Sequence, residues 1–141
     1  MKKIFALCAL LMFMSGIGYS QCKGFVKKKC VPQLKPYVNN GKGSSAIMRP
    51  GDKAELMMTF NSGVDYRLLI ANMDNIKLSF KVMDSDRNVF FDSSKQNKNY
   101  FDFNVASTQQ LIVEIVCEDS ESLTGITPEG CVAILTGYKL K

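Results

Sequence analysis

The residues with the clearest chemistry are cysteines and lysines near the start of the chain. Cys22 and Cys30 enclose four lysines in the segment QCKGFVKKKC, and Cys117 and Cys131 lie towards the other end. An even number of cysteines forms disulfide bonds when a small domain is exported to an oxidising compartment. The fifth cysteine of the chain, Cys8, lies in the N-terminal segment that we expect to be cleaved, and the four that remain allow three pairings. The local pairing, Cys22–Cys30 with Cys117–Cys131, is favoured because each bond closes a short loop. A disulfide that closes a loop of about 15 residues stabilises the folded state by roughly 3 kcal/mol.

The N-terminus has the features of a secretory signal. Two lysines precede an apolar run of about a dozen residues, and small residues follow up to Ser20. That run is shorter than the roughly 20 residues of a membrane-spanning helix. We expect a signal peptide over residues 1–20, cleaved between Ser20 and Gln21, and an exported protein that is periplasmic or secreted. The alternatives are an uncleaved anchor and lipidation of Cys22, which would associate the protein with the outer membrane; Gln21 is not the small residue that lipidation needs.

Residues suited to metal binding or catalysis are sparse. The chain has no histidine, so a catalytic triad lacks its usual base, and no CxxC pair is present for structural zinc. Asp84, Asp86 and Asn88 place oxygen atoms at alternate positions, as at the start of a calcium loop. Position 95, where such a loop closes with glutamate, is Lys95, and the same residues favour a hairpin turn. We therefore expect a turn, with calcium as the alternative, and no enzyme activity.

Positive charge is concentrated in the N-terminal part of the chain. From Gln21 to Lys53 there are eight basic residues and one acidic residue, whereas from Ala54 onwards there are eight basic and twelve acidic residues. The basic segment predicts contact with an envelope protein or an anionic surface; the simpler interpretation is a solvated, flexible lead-in. Nucleic acid is not an expected partner, and Pro32 and Pro36 break any membrane-surface helix. The predicted partner-binding residues are Lys23, Lys27, Lys28, Lys29 and Lys35.

The rest of the chain has the pattern of short β-strands. Residues 76–83 alternate apolar and polar side chains, residues 110–117 place Leu111, Val113, Ile115 and Cys117 on one face of a strand, and turn residues such as those at 61–63 separate the strand-like segments. No segment has a helical period, and residues 39–45 are predicted to form a loop. Short strands at even spacing predict an all-β protein, an antiparallel β-sandwich or jelly roll of about seven to eight strands.

One domain of this length can bury a substantial core. We divide the chain into a signal peptide at residues 1–20, a basic N-terminal arm at 21–47 and a β-sandwich domain at 48–141. No transmembrane span is expected after cleavage of the signal.

A sugar-binding site is the alternative function. The chain has no tryptophan, so an aromatic platform for a sugar has to come from tyrosine and phenylalanine. At strand spacing these residues more often pack in a core or at a sheet edge. The available side chains are those of Tyr37, Tyr66, Phe90, Phe91, Tyr100 and Tyr138.

Three segments carry a family resemblance: the turn Arg49-Pro50-Gly51-Asp52, the strand entry at residues 62–68 and the strand-turn at 80–88. Over residues 48–138 the chain resembles the bacterial pre-peptidase C-terminal type of β-sandwich. It also resembles uncharacterised small exported proteins of gram-negative bacteria, in its Lys-Lys-Lys-Cys lead and its ending at residues 130–135. The first resemblance implies an accessory module that aids secretion or binding. We therefore expect a non-catalytic binding module of the bacterial envelope, with a carbohydrate-binding module as the alternative.

Overall fold

The computed structural model describes residues 18–73, 76–119 and 128–140, so most of the predicted signal peptide lies outside the described residues. Eight strands form within these ranges. They are β1 (Val38–Met48), β2 (Lys53–Phe60), β3 (Val64–Asn72), β4 (Leu78–Met83), β5 (Val89–Asp92), β6 (Tyr100–Asn104), β7 (Gln109–Cys117) and β8 (Gly130–Leu140). A short helix at Ser93–Gln96 follows β5.

The eight strands form two antiparallel sheets that pack as a β-sandwich. Sheet A has the strand order β1-β8-β3-β6, and sheet B has the order β2-β7-β4-β5. Every observed strand pair is antiparallel. The all-β antiparallel sandwich predicted from the strand spacing is therefore confirmed.

The main core lies between the two sheets and follows the alternation of the strands. Along β7, Leu111, Val113, Ile115 and Cys117 are buried, and the residues between them are half-buried. Alternate residues of β3 and β8 face them from sheet A. Because burying one large apolar side chain stabilises by about 1.5–3 kcal/mol, this alternation is enough to set the register of the strands.

A helical layer covers the outer face of sheet A. It consists of an α-helix (Gly18–Phe25), a π-helical turn (Val26–Cys30) and a 3₁₀ turn (Val31–Leu34). Cys30 and Leu34 pack against residues of β3 and β8 that point away from the main core. The expectation that this segment has no helix, and is a flexible lead-in, is therefore wrong. No helix in the described parts of the chain is long and apolar enough to cross a membrane.

A disulfide between Cys22 and Cys131 joins the helical layer to β8, with 5.5 Å between the Cα atoms. Cys30 and Cys117 are free and buried, so the predicted local pairing is wrong. The reason is the layering: Cys117 lies in the core between the sheets, whereas Cys131 lies on the outer side of sheet A with Ala133, two positions further on. Since sheet A separates the two sulfurs, they do not meet. The bond also occupies the Cys22 sulfur that a lipid anchor would need.

Residues 39–45, predicted as a loop, belong to β1, so the expected boundary of the arm at residue 47 falls within this strand. The turn-forming residues make an irregularity in the pairing of β1 with β8, between Asn39 and Gly43. Gly41 has a positive φ of 72° there, and its amide donates to the Asn39 side chain. The glycines and asparagines therefore build a bulge in an edge strand.

Candidate functional site

Two of the five predicted partner-binding lysines line one groove, which we call the arm groove. Lys23 and Lys27 are four residues apart in the helical layer and both are exposed, so they lie on the same side of it. The groove has a volume of about 410 Å³ and runs between the helical layer and β1. Its lining residues are Lys23, Val26, Lys27, Val31, Asn39, Gly41, Gly43, Ser44, Ser45 and Leu135. Lys28, Lys29 and Lys35 are exposed but lie outside this lining.

The positive charge of the arm groove is not neutralised within the described part of the chain. Its lining contains no acidic residue. The ion pairs found among the described residues join Arg49 to Glu129, Arg67 to Asp102 and Arg87 to Glu55, and none of them includes a lysine. The arm groove is thus a concave surface with an apolar floor and a cationic rim.

A second concave surface, which we call the open-edge groove, lies between the edge strands β1 and β2. It has a volume of about 470 Å³. Its lining residues are Asn40, Lys42, Met57, Met58, Thr59, Phe60, Asn61, Val64, Tyr66, Thr136 and Tyr138. Thr136 is only 1% exposed, and its hydroxyl has no hydrogen-bond partner among the described residues. The sequence signal for this site is a single threonine in the apolar run of β8, which our sequence reasoning missed.

Arg67 fastens the end of the helical layer to sheet A. Its guanidinium donates to both carboxylate oxygens of Asp102, at 2.7 and 2.6 Å, and to the carbonyl oxygen of Lys35 at 2.8 Å. It lies between the rings of Tyr37 and Tyr100, at 4.7 and 4.5 Å from their centroids. The hydrogen bonds with Asp102 raise the pKa of Arg67 above its ordinary value. Since all of these contacts are internal, we assign Arg67 to the fold and not to ligand binding.

Asp84, Asp86 and Asn88 form the turn between β4 and β5. The Asp84 carboxylate accepts hydrogen bonds from the backbone amides of Asp86 and Asn88 and from the Asn88 side chain, at 2.8–2.9 Å. The bond from the Asn88 side chain is the main cause that lowers the pKa of Asp84. No cluster of three or more acidic, cysteine or histidine side chains suited to a metal ion occurs in the described ranges. The geometry is that of a hairpin turn, and calcium binding stays a prediction.

The aromatic residues considered for sugar binding lie in four different places. Tyr37 and Tyr100 pack on Arg67. Tyr66 and Tyr138 line the open-edge groove. Phe91 is buried in the core, whereas its neighbour Phe90 is exposed. These positions do not form one aromatic platform.

The free cysteines are buried, and this gives a first prediction. Burial raises the pKa of the Cys30 thiol to about 11 and also raises the pKa of Cys117. Because the thiolate is the reactive form, neither thiol of the folded protein, produced from residue 21, should react with a disulfide reagent at about pH 8. Both should react after denaturation without reductant. A denatured protein with no reactive thiol would mean that these cysteines are paired.

The fold is similar to that of a known exported inhibitor. A solved structure of Aeromonas hydrophila PliG, a periplasmic lysozyme inhibitor of g-type lysozyme, matches with a TM-score of 0.52 and 5% sequence identity. The match covers 74% of this chain and 90% of that one. At this identity the similarity shows the fold alone.

No protein-family model matches the chain, and no curated protein matches it. The pre-peptidase resemblance is therefore supported only to the extent that both are β-sandwiches.

Proposed function

We propose that this protein is an exported, non-catalytic binding module whose arm groove holds an acidic segment of a partner protein. The observation that carries the proposal is the position of Lys23 and Lys27, side by side on the rim of a groove without acidic residues. Complementary charge of this kind accelerates association and selects among partners. The apolar floor, which includes Val26 and Val31, adds contact area once the partner has arrived.

The helical layer is suited to this role because it is fixed before a partner binds. The disulfide attaches it at Cys22, the buried contacts of Cys30 and Leu34 hold its middle, and Arg67 holds its end through Lys35. A surface that is already ordered loses less conformational entropy on binding than a flexible tail. The lysines therefore act as a structured site, in contrast to a solvated tail.

The similarity to PliG supports a protein as the partner, since PliG is itself a periplasmic inhibitor of g-type lysozyme. A β-sandwich of this fold is thus able to serve as an exported inhibitor. We infer that the partner class is an exported enzyme, and g-type lysozyme is the first one to test. The absence of histidine from the chain is consistent with a binding role in preference to a hydrolytic one.

Charge reversal of the groove lysines tests the proposal. We expect the variant Lys23→Glu/Lys27→Glu to bind the partner at least about tenfold more weakly, because two attractive contacts become repulsive. The matched control is Lys28→Glu/Lys29→Glu, which changes the net charge equally but lies outside the groove and should weaken binding much less. The measurement is a titration against purified g-type lysozyme, with a lysozyme activity assay alongside.

A photo-cross-linking residue at position 44, an exposed position in the lining of the arm groove, extends the test to other partners in intact cells. We expect one abundant exported protein to be captured from this position and not from the exposed position 77. Capture that is lost in Lys23→Glu/Lys27→Glu but kept in the control variant supports the arm groove. Equal weakening by both double variants would contradict it, and would point to a general attraction to anionic surfaces that salt also removes.

A further inference from the structure

The open-edge groove contains a buried hydroxyl group, that of Thr136, to which no described residue forms a hydrogen bond. Thr136 follows Val132 and Ile134 at inward-facing positions of β8. Its hydroxyl is buried and has no partner in the described part of the chain. Buried polar groups are nearly always hydrogen-bonded, because an unpaired one destabilises the folded state. An isosteric valine would avoid this penalty, so the hydroxyl indicates a ligand that completes its hydrogen bonding.

The lining of the groove defines the chemistry of that ligand. Met57, Met58 and Val64 supply adaptable apolar walls, and asparagine side chains stand at the rim. Lys42 is the only charged residue in the lining and takes part in none of the ion pairs found in the described ranges. A volume of about 470 Å³ is within the usual range for a binding pocket. The groove thus fits a ligand with apolar groups and one negative charge.

The neighbouring edge strand indicates that the ligand is a peptide segment. Because β2 is one of the two edge strands of sheet B, one side of its backbone has no strand beside it in the described structure. A peptide that extends the sheet along β2 would direct alternate side chains into the groove and past Met57, which is 67% exposed. A sugar fits less well, since Phe60 and Tyr66 are buried and pack edge to face with ring centroids 4.9 Å apart. They do not offer the open ring face on which a sugar stacks.

We propose that the open-edge groove is a second binding site, which takes an extended acidic segment of a protein. The segment adds to β2, places an apolar side chain in the groove, donates to or accepts from the Thr136 hydroxyl, and places a carboxylate at Lys42. This site shares no lining residue with the arm groove. It can therefore fail or succeed independently of the proposed function.

The test uses an array of peptides of about nine residues, which is within the usual range of strand lengths, with alternating apolar residues and one acidic position. The probe protein is the full chain from residue 21 with its disulfide formed. We expect a subset of the acidic peptides to bind, and Thr136→Val to weaken them at least about tenfold while the melting temperature stays equal or rises. Thr136→Ser, which keeps a hydroxyl, should retain most of the binding.

Charge variants separate this site from the arm groove. Lys42→Glu should abolish binding of the acidic peptides, whereas Lys77→Glu and Lys23→Glu/Lys27→Glu should not change it. Three results would overturn the proposal: no peptide binds, peptides bind Thr136→Val as well as the natural protein, or Thr136→Val lowers the melting temperature. Binding of soluble chitin oligosaccharides that is lost in Thr136→Val would assign the groove to a sugar.

Discussion

Replacing Cys22 and Cys131 together with serine is expected to lower the free energy of unfolding by about 4.7 kcal/mol, the value for closing a loop of about 100 residues. The two cysteines are 109 positions apart in the sequence, so the bond removes far more freedom from the unfolded chain than either local bond would. This loss is close to the whole free energy of unfolding of a marginally stable domain, which is about 5 kcal/mol. Equilibrium unfolding in denaturant measures the difference, with the protein produced from residue 21 in both cases.

The matched control is Cys30→Ala/Cys117→Ala, which removes two buried thiols and no bond. It should destabilise the protein much less than the serine pair does, although both variants change two buried sulfurs. Peptide mapping without reductant should find the peptide of Cys22 joined to that of Cys131. A map that joins Cys22 to Cys30 and Cys117 to Cys131 would show that the local pairing is the real one; each double variant would then remove both bonds, and the two losses of stability would be similar.

The disulfide also connects stability to the proposed function. Without it the first helix keeps only its packing contacts on sheet A, and Lys23 lies directly after Cys22. We therefore expect the serine variant to bind the partner of the arm groove more weakly even at temperatures where the sandwich is folded. Peptide binding at the open-edge groove should change less, because its lining contains no residue of the helical layer.

The sandwich could be predicted from the sequence because its strands are buried on one face. In β7 the apolar residues at 111, 113, 115 and 117 are buried and alternate with half-buried neighbours, and a period of two indicates a strand. β1 gave no such signal, since all but its last residue are exposed or half-buried and its glycines and asparagines are typical of loops. An edge strand is held mainly by backbone hydrogen bonds to its neighbour, and these leave little trace in side-chain composition.

The candidate sites depended on contacts between distant parts of the chain. The pairing of Cys22 with Cys131 follows from which side of sheet A each sulfur faces, and no local spacing encodes that. The basic character of the helical layer was evident from composition. Only the structure showed that Lys23 and Lys27 line the arm groove, whereas Lys28 and Lys29 do not. Thr136 became informative only when the structure showed that its hydroxyl has no partner among the described residues.

The second large effect is expected at Arg67, where alanine should lower the free energy of unfolding by about 2–3 kcal/mol. Two cation–π contacts contribute about 0.5–2 kcal/mol each, and the bidentate pair with Asp102 adds further to them. Arg67 is well placed for this because its side chain is only 15% exposed. Lysine at this position should restore little of the loss, since its ammonium group lacks the planar fork that Asp102 and the Lys35 carbonyl share.

Arg49 provides the matched control, because it also donates two hydrogen bonds to a carboxylate, that of Glu129, while its side chain is 63% exposed. Arg49→Ala should change stability little, as exposed ion pairs contribute little. If both alanine variants lower the free energy of unfolding equally, the rings of Tyr37 and Tyr100 do not contribute as argued.

Gly137, opposite Arg67 in β8, supplies an independent check: an added Cβ would lie 2.7 Å from the Cβ of Tyr37. Gly137→Ala should therefore displace Tyr37 and destabilise the same end of the helical layer.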